Sequence, residues 1–165
     1  MTIRGDFQKT AIFKRKLGRL DPMLRELSAN LAEETIHLIR EGFQDEKDPY
    51  GVPWAPLRLR EGRILQDTGG LRNSWHRQSS KSGFRVFSGK QYAIYHQRGT
   101  GIYGPSRKRI TPIRATALKL GRFGFAKSVA GTPARRMVPE NGVLPVTWRR
   151  QYEQIAQFVL KKAFR

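Results

Sequence analysis

The 165-residue chain contains no cysteine. This absence excludes disulfides, thiolate zinc sites and a cysteine nucleophile. Long apolar runs are also missing, since no stretch approaches the roughly eighteen residues that a membrane-spanning helix needs. The N-terminal segment MTIRGDFQKT has no hydrophobic region of the kind found in signal peptides. We therefore expect neither a transmembrane span nor a secretory signal, and no membrane partner.

Acidic residues are absent from the whole stretch between Thr68 and Pro139, in a chain whose formal net charge is +19. A solvated protein surface usually mixes both signs of charge. A one-signed surface of this kind predicts an acidic protein or nucleic-acid partner. The candidate anion contacts are Arg98, Arg107, Lys108, Arg109, Arg114, Arg135 and Arg136.

The patterns expected of a catalytic or cofactor site are missing as well. The segment GTGIYG at 99–104 has the spacing of a dinucleotide-binding loop, but no buried strand precedes it. It is followed by Pro105 and the basic residues 107–109 instead of an amphipathic helix. Ser74 lies in a strand pattern without a nucleophile elbow, and the three histidines lack metal-ligand spacing. We predict no catalysis, no metal and no cofactor.

Apolar residues at helical spacing predict two main helices. Asp21 and Pro22 form a start signal for a helix over 22–43, with Asp21 as the N-cap. At the C-terminus an amphipathic helix is predicted by a shared face of Trp148, Tyr152, Ile155 and Val159. Residues 1–20 are basic and are predicted to form an arm or a short helix.

Strand patterns fill the region between these helices. A β-hairpin is predicted over 71–88, a short helix over 92–97, and two further strands over 110–120 and 122–129. A long basic loop is predicted at 99–114. The fold class expected is α+β, in which a long N-terminal helix and a C-terminal helix pack on an antiparallel sheet. We expect one domain over 21–165.

Four short motifs occur in a fixed order. The long helix ends in EGFQDEKDPYGVPWAPL, and ILQDTGGLRNSW, YAIYHQRGT and TPARRMVP follow. The series resembles the phage virion morphogenesis family, the Mu-type tail completion or neck proteins of tailed bacteriophages. Arg136 departs from the family pattern, in which proline is more usual at that position. The resemblance covers residues 22–139, and its matching positions include Trp54, Gly69, Leu71, Tyr92, His96 and Gly99.

The resemblance implies a structural virion protein that forms a homo-oligomeric ring at the head–tail junction and is assembled in the host bacterial cytoplasm. Its implied partners are tail-tube, tail-terminator or connector proteins, and non-specific contact with the phage DNA in the channel stays open. The motif residues are then expected to maintain the fold. Gly69 permits a turn, Trp54 and Tyr92 anchor loops, and His96 with Gln97 bonds neighbouring backbone.

Two uses of the basic half of the chain remain open. The glycines at 99, 101 and 104 are expected to let the basic loop bend, so that it reaches an adjacent subunit, an acidic tail or connector surface, or DNA. The alternative to a ring component is a sequence-independent DNA-binding protein. Salt-dependent DNA affinity without affinity for tail proteins would favour that alternative.

Overall fold

Helix α1 spans Leu20–Asp45 in the computed structural model, which describes residues 17–58, 61–120, 124–140 and 142–164. The predicted helix over 22–43 is thus confirmed and is slightly longer at each end. Asp21 lies in its first turn and is not the predicted N-cap, since the N–H of Met23 already bonds the carbonyl of Arg19. A hydrogen bond from Lys81 lowers the pKa of Asp21. Most of the predicted basic arm at 1–20 lies outside the described residues.

The remaining elements follow in chain order. Strands β1 and β2 form a hairpin, and a six-residue helix α2 comes next. A single 3-10 turn at Gly101–Tyr103, two short strands and the C-terminal helix α3 complete the described chain. The bounds are β1 Trp75–Ser80, β2 Gly83–Ser88, α2 Ala93–Arg98, β3 Leu118–Lys119, β4 Phe125–Ala126 and α3 Val146–Ala163.

These elements confirm the α+β class. The strands, however, form two separate antiparallel pairs, β1–β2 and β3–β4, in the described parts of the chain. The hairpin begins at Trp75 and not at 71, because residues 70–73 form a turn in which the N–H of Asn73 bonds the carbonyl of Gly69. Gly69 has φ = +70°, a conformation that glycine adopts without steric cost, as the motif predicted.

The chain forms two compact units. The first contains residues 17–37, 76–87 and 146–164 of the described chain. Its core includes Ala32 and Ile36 from α1 and Trp148 and Val159 from α3. The hydroxyls of Thr35 and Tyr152 lie 2.6 Å apart and join the two helices. Burial raises the pKa of Tyr152.

Aromatic contact joins the hairpin to α3 within this first unit. The ring of Phe84 packs edge-on against Tyr152 at 6.3 Å between centroids. On the surface, Arg77 forms an ion pair with Glu33 at 2.5 Å. The predicted packing of both helices on antiparallel strands is therefore present here, on two strands.

The second unit contains residues 38–75 and 88–145, and it holds most of the candidate site. Phe43 is fully buried, and its ring meets Trp54 edge-to-face at 5.3 Å. The indole Nε1 of Trp54 donates to the carbonyl of Arg136 at 2.9 Å. Trp54 thus anchors its loop on the core, as expected. Leu71 and Met137 are also buried in this unit.

Within the described residues, no helix is both long enough and apolar enough to cross a membrane.

Candidate functional site

Glycines allow two backbone segments to cross closely at the base of the predicted basic loop. A Cβ on Gly101 would overlap the carbonyl of Ala130, and a Cβ on Gly131 would overlap that of Thr100. The N–H of Ile102 bonds the carbonyl of Ala130 at 2.8 Å across this crossing. Gly101 and Gly131 therefore allow two backbone segments to pack closely. The expectation from the sequence was different, namely that the glycines at 99, 101 and 104 would let the loop bend.

Beyond the crossing, the chain continues as a narrow antiparallel structure that we call the basic ribbon, residues 99–120 and 124–132. Ile110 and Val129 exchange both backbone hydrogen bonds at 2.9 Å. Farther along, Leu118 pairs with Ala126 and Lys119 with Phe125. The two strands predicted at 110–120 and 122–129 thus pair with each other and are antiparallel. Each has only two residues in regular pairing. Residues 121–123 lie outside the described chain.

The basic ribbon and the preceding helix carry most of the predicted anion contacts on the surface. Five exposed cations have no carboxylate partner in the part of the chain that the structure describes: Arg98, Arg107, Lys108, Arg109 and Arg114. Arg109 Nε instead donates to the hydroxyl of Ser128 at 2.9 Å across the ribbon. An unneutralised, exposed cationic surface of this kind attracts phosphates and carboxylates.

Arg135 and Arg136 behave differently from the other five candidates. Arg135 is only 5% exposed, and its guanidinium donates to the carbonyls of Ala55 at 2.9 Å and Pro56 at 3.2 Å. We therefore assign Arg135 a role within the fold and leave it out of the surface set. Arg136 is exposed but forms an ion pair with Glu140 at 3.3 Å.

Three of the predicted arginines line one open cleft. Arg98, Arg107 and Arg136 face a space of about 750 Å³, together with Glu140. Apolar groups complete the walls, and they include Ile94, Tyr103, Ala134, Val138 and Pro139. We call this space the arginine cleft. Its combination of guanidinium groups and apolar walls suits the binding of an anionic group on a larger molecule.

Gln97 holds one wall of the arginine cleft in place. This buried side chain accepts from the N–H of Met137 at 2.8 Å and of Val138 at 3.2 Å through Oε1. Its Nε2 donates to the carbonyl of Val138 at 2.8 Å and to the carboxylate of Glu140 at 3.2 Å. The expected bonding of Gln97 to neighbouring backbone is thus present, and it fixes the extended segment 131–139 against α2.

Arg107 has an unusual backbone within the cleft. Its φ is +49°, in the left-handed region that non-glycine residues rarely adopt. Arg107 ends a turn through Pro105 and Ser106, in which its N–H bonds the carbonyl of Gly104 at 3.1 Å. A non-glycine residue held in this region often marks a functional position.

A second cavity, of about 770 Å³, lies between the turn at 67–71 and the segment 129–133. Its lining is largely apolar and includes Leu57, Leu65, Leu71, Ile110 and Val129. His96 also lines it, with its Nδ1 buried and lacking a hydrogen-bond partner among the described residues. Burial, and then the charge of Arg135, lower the pKa of His96.

The predicted backbone hydrogen bond of the His96 side chain is therefore not made through Nδ1. The backbone of His96 does bond, because its carbonyl accepts from the N–H of Arg135 at 2.7 Å. The ring of Tyr92 packs edge-on against the imidazole at 6.0 Å, and Tyr92 itself is 43% exposed. Tyr92 thus covers His96 at the surface more than it anchors a loop in the core.

Sequence reasoning missed two features of the site. Glu140 is the first acidic residue after the acid-free stretch, and this position could have marked it as the partner of a nearby cation. Gly131 forms the other half of the backbone crossing, and the sequence offered only its glycine identity as a signal. In the described residues no group of three or more histidine, aspartate or glutamate side chains is placed to hold a metal ion.

The site thus combines exposed cations with a closely packed backbone crossing. The sequence model of the phage virion morphogenesis family matches residues 8–143. The chain therefore belongs to the phage virion morphogenesis family, and its role is a structural or morphogenetic one in a phage virion. Comparison with curated proteins and with solved structures gave no match.

Proposed function

We propose that the protein is a tail-completion or neck component of a tailed phage, and that several copies form a ring at the head–tail junction. Its partners there are neighbouring tail-tube, tail-terminator or connector proteins. The protein makes and breaks no covalent bond in this role. It is assembled into the virion in the host bacterial cytoplasm.

The observation that carries this proposal is the set of exposed cations on the basic ribbon that have no carboxylate partner in the described chain. Isolated copies with a formal charge of +19 repel one another. An assembly of such copies is stable when it contacts anionic partners. At a head–tail junction, the DNA in the channel and any acidic surface of a neighbouring protein would supply them.

Ring symmetry would strengthen the effect of each ribbon. Closed cyclic symmetry is a common form of homo-oligomer, and it places the same surface of every copy around one axis. If the ribbons face the lumen, their positive electrostatic potentials add there. They would then attract DNA through its phosphates without recognising its sequence. The ribbon is suited to this position because its base is fixed by the glycine crossing.

Electron microscopy and light scattering of the purified full-length chain test the ring directly. The chain should be examined alone and after mixing with tails from a phage that lacks the gene. We expect rings with a central lumen, or discrete ring-like density at one end of the tails. A protein that stays monomeric and does not bind to tails would contradict the proposal.

The same cations favour one other function, a sequence-independent DNA-binding protein. Neutralisation of phosphates by exposed lysine and arginine releases counterions, so the affinity for DNA would fall steeply with salt. This alternative is supported if the chain remains small, binds duplexes of unrelated sequence equally and does not bind to tails. Binding to tails at physiological salt would instead support the neck proposal.

A further inference from the structure

We infer that the arginine cleft binds an acidic segment of a neighbouring polypeptide, one in which carboxylates alternate with apolar side chains. The cleft lies in the second unit and is lined by Arg98, Arg107 and Arg136. That the neighbour is a virion protein rests on the proposed function. The chemistry of the cleft does not depend on it.

Charge complementarity indicates the sign of the occupant. Glu140 is the single carboxylate among the lining residues that the structure describes, and it already pairs with Arg136. Arg98 and Arg107 have no carboxylate partner in the described chain. Two guanidinium groups in the same cleft therefore remain available for charge-assisted hydrogen bonds, and guanidinium matches the planar geometry of a carboxylate.

Glu140 shows how a carboxylate fits the cleft. One of its oxygens accepts from Gln97 at 3.2 Å and the other from Arg136 at 3.3 Å. The backbone N–H of Glu140 bonds the hydroxyl of Tyr50 at 3.3 Å, and that hydroxyl donates to the carbonyl of Val143 at 2.9 Å. The cleft thus already binds one carboxylate of its own chain. Arg98 and Arg107 offer further guanidinium groups to a carboxylate of another polypeptide.

Apolar side chains around the cleft favour a polypeptide over a nucleic-acid backbone. Ile94 is 46% exposed and Tyr103 is 36% exposed, and both line the cleft. The guanidinium of Arg58 lies over the Tyr103 ring at 5.9 Å from its centroid. Exposed aromatic and aliphatic side chains beside arginine are typical of protein interfaces, in which aromatic residues and arginine are enriched. A sugar–phosphate backbone presents mainly charged phosphates, and only the C–H edges of its sugars could pack on these side chains.

The backbone of Arg107 allows a test that separates binding from folding. Because φ is +49° there, glycine fits the position without steric cost. Arg107→Gly combined with Arg98→Gln removes both available guanidiniums and should not lower the melting temperature. Arg149→Gln with Arg150→Gln is the matched control, since it removes the same charge from exposed residues of α3 that lie outside the cleft and the basic ribbon.

The probe is a fluorescein-labelled synthetic peptide in which glutamate alternates with leucine and glycine, with a glutamine version as its control. Fluorescence anisotropy is measured at about 150 mM salt to screen general attraction. We expect the Arg98→Gln, Arg107→Gly variant to bind the glutamate peptide at least about tenfold more weakly than the wild type. The control variant should differ by less than about twofold.

Substitution of Glu140 should act in the opposite direction. Glu140→Gln removes the competing carboxylate and frees Arg136, so the glutamate peptide should bind about threefold more tightly. Glu153→Gln adds the same unit of charge on the exposed surface of α3 and should leave binding unchanged.

Two results would overturn the inference. One is that the cleft variant and its control lower the affinity for the glutamate peptide equally, and that Glu140→Gln and Glu153→Gln raise it equally. The peptide would then bind through general electrostatic attraction only. The other is loss of affinity for a labelled DNA duplex without loss of affinity for the peptide, which would assign the cleft to phosphate. Neither result bears on whether the protein forms rings, so failure here is distinguishable from failure of the proposed function.

Discussion

Gly101 lies so close to Ala130 that a Cβ on Gly101 would overlap the carbonyl oxygen of Ala130. The N–H of Ile102 bonds that same oxygen at 2.8 Å, so the two segments cannot separate without loss of the hydrogen bond. Gly101 also has φ = +63°. The basic ribbon therefore leaves the core through a backbone contact that only glycine permits.

Gly101→Ala should lower the free energy of unfolding by at least about 3 kcal/mol, because the clash is with backbone and cannot be relieved by a side-chain rotation. Gly142→Ala is the control, since Gly142 has a similar φ of +70° but open space around its Cα. Its cost should be about 1 kcal/mol, which is the conformational part alone. Urea denaturation of both variants measures the difference, and equal losses would show that the crossing is not formed.

Gln97→Ala should destabilise the protein by about 2–4 kcal/mol, because the buried N–H of Met137 and the half-buried N–H of Val138 would lose their acceptor. Gln91→Ala replaces an exposed glutamine just before α2 and should change stability by less than about 0.5 kcal/mol. Chemical denaturation of the two variants is the measurement. If Gln97→Ala were as mild as Gln91→Ala, then Gln97 would not hold the segment 131–139.

Replacement of Arg107, Lys108 and Arg109 by glutamine should abolish binding to tails and leave thermal stability nearly unchanged. The reason is that exposed charges without a carboxylate partner contribute little to the fold. Glutamine at Arg149, Arg150 and Lys161, which are exposed on α3, removes the same charge and should preserve binding to tails. Sedimentation with purified tails and a thermal melt test both points. A large loss of melting temperature in the ribbon variant would contradict the proposed role of these residues.

Stability should depend on pH through His96. Burial holds the pKa of this imidazole below its ordinary value of 6.5, so the unfolded chain takes up a proton at a higher pH than the folded chain does. His96 therefore adds no pH dependence above about pH 6.5, and stability falls as the pH drops below that value toward the folded-state pKa. His96→Gln should flatten the curve between about pH 6.5 and 5, above the main carboxylate titrations. An unchanged slope in urea denaturation over this range would mean that His96 is not buried.

Much of the fold was predictable from the sequence because its signals are local. Apolar spacing predicts α1 and α3, and a glycine after Thr68 marks the turn at Gly69. The hairpin was predicted to begin too early. Leu71 and Asn73 are two residues apart, as the side chains on one face of a strand would be. Leu71 is in fact buried from within a turn, and its neighbours bond backbone locally.

The site was less predictable because its contacts join distant parts of the chain. The run of cations in an acid-free stretch is visible in the sequence, and five of its seven predicted members are exposed without a carboxylate partner in the described chain. Burial of Arg135 depends on the carbonyls of Ala55 and Pro56, about eighty residues away, which no local pattern reveals. The approach of Gly101 to Ala130 is likewise set by the path of the whole ribbon.

We propose that this protein joins the tail to the head of a tailed phage through its cationic surface. Electron microscopy of lysates from a phage with the gene deleted tests it most directly. We predict filled heads and separate, complete-length tails that do not join, with joining restored by the wild-type chain but not by the Arg107, Lys108 and Arg109 glutamine variant. Normal, infectious virions in the absence of the gene would contradict the account.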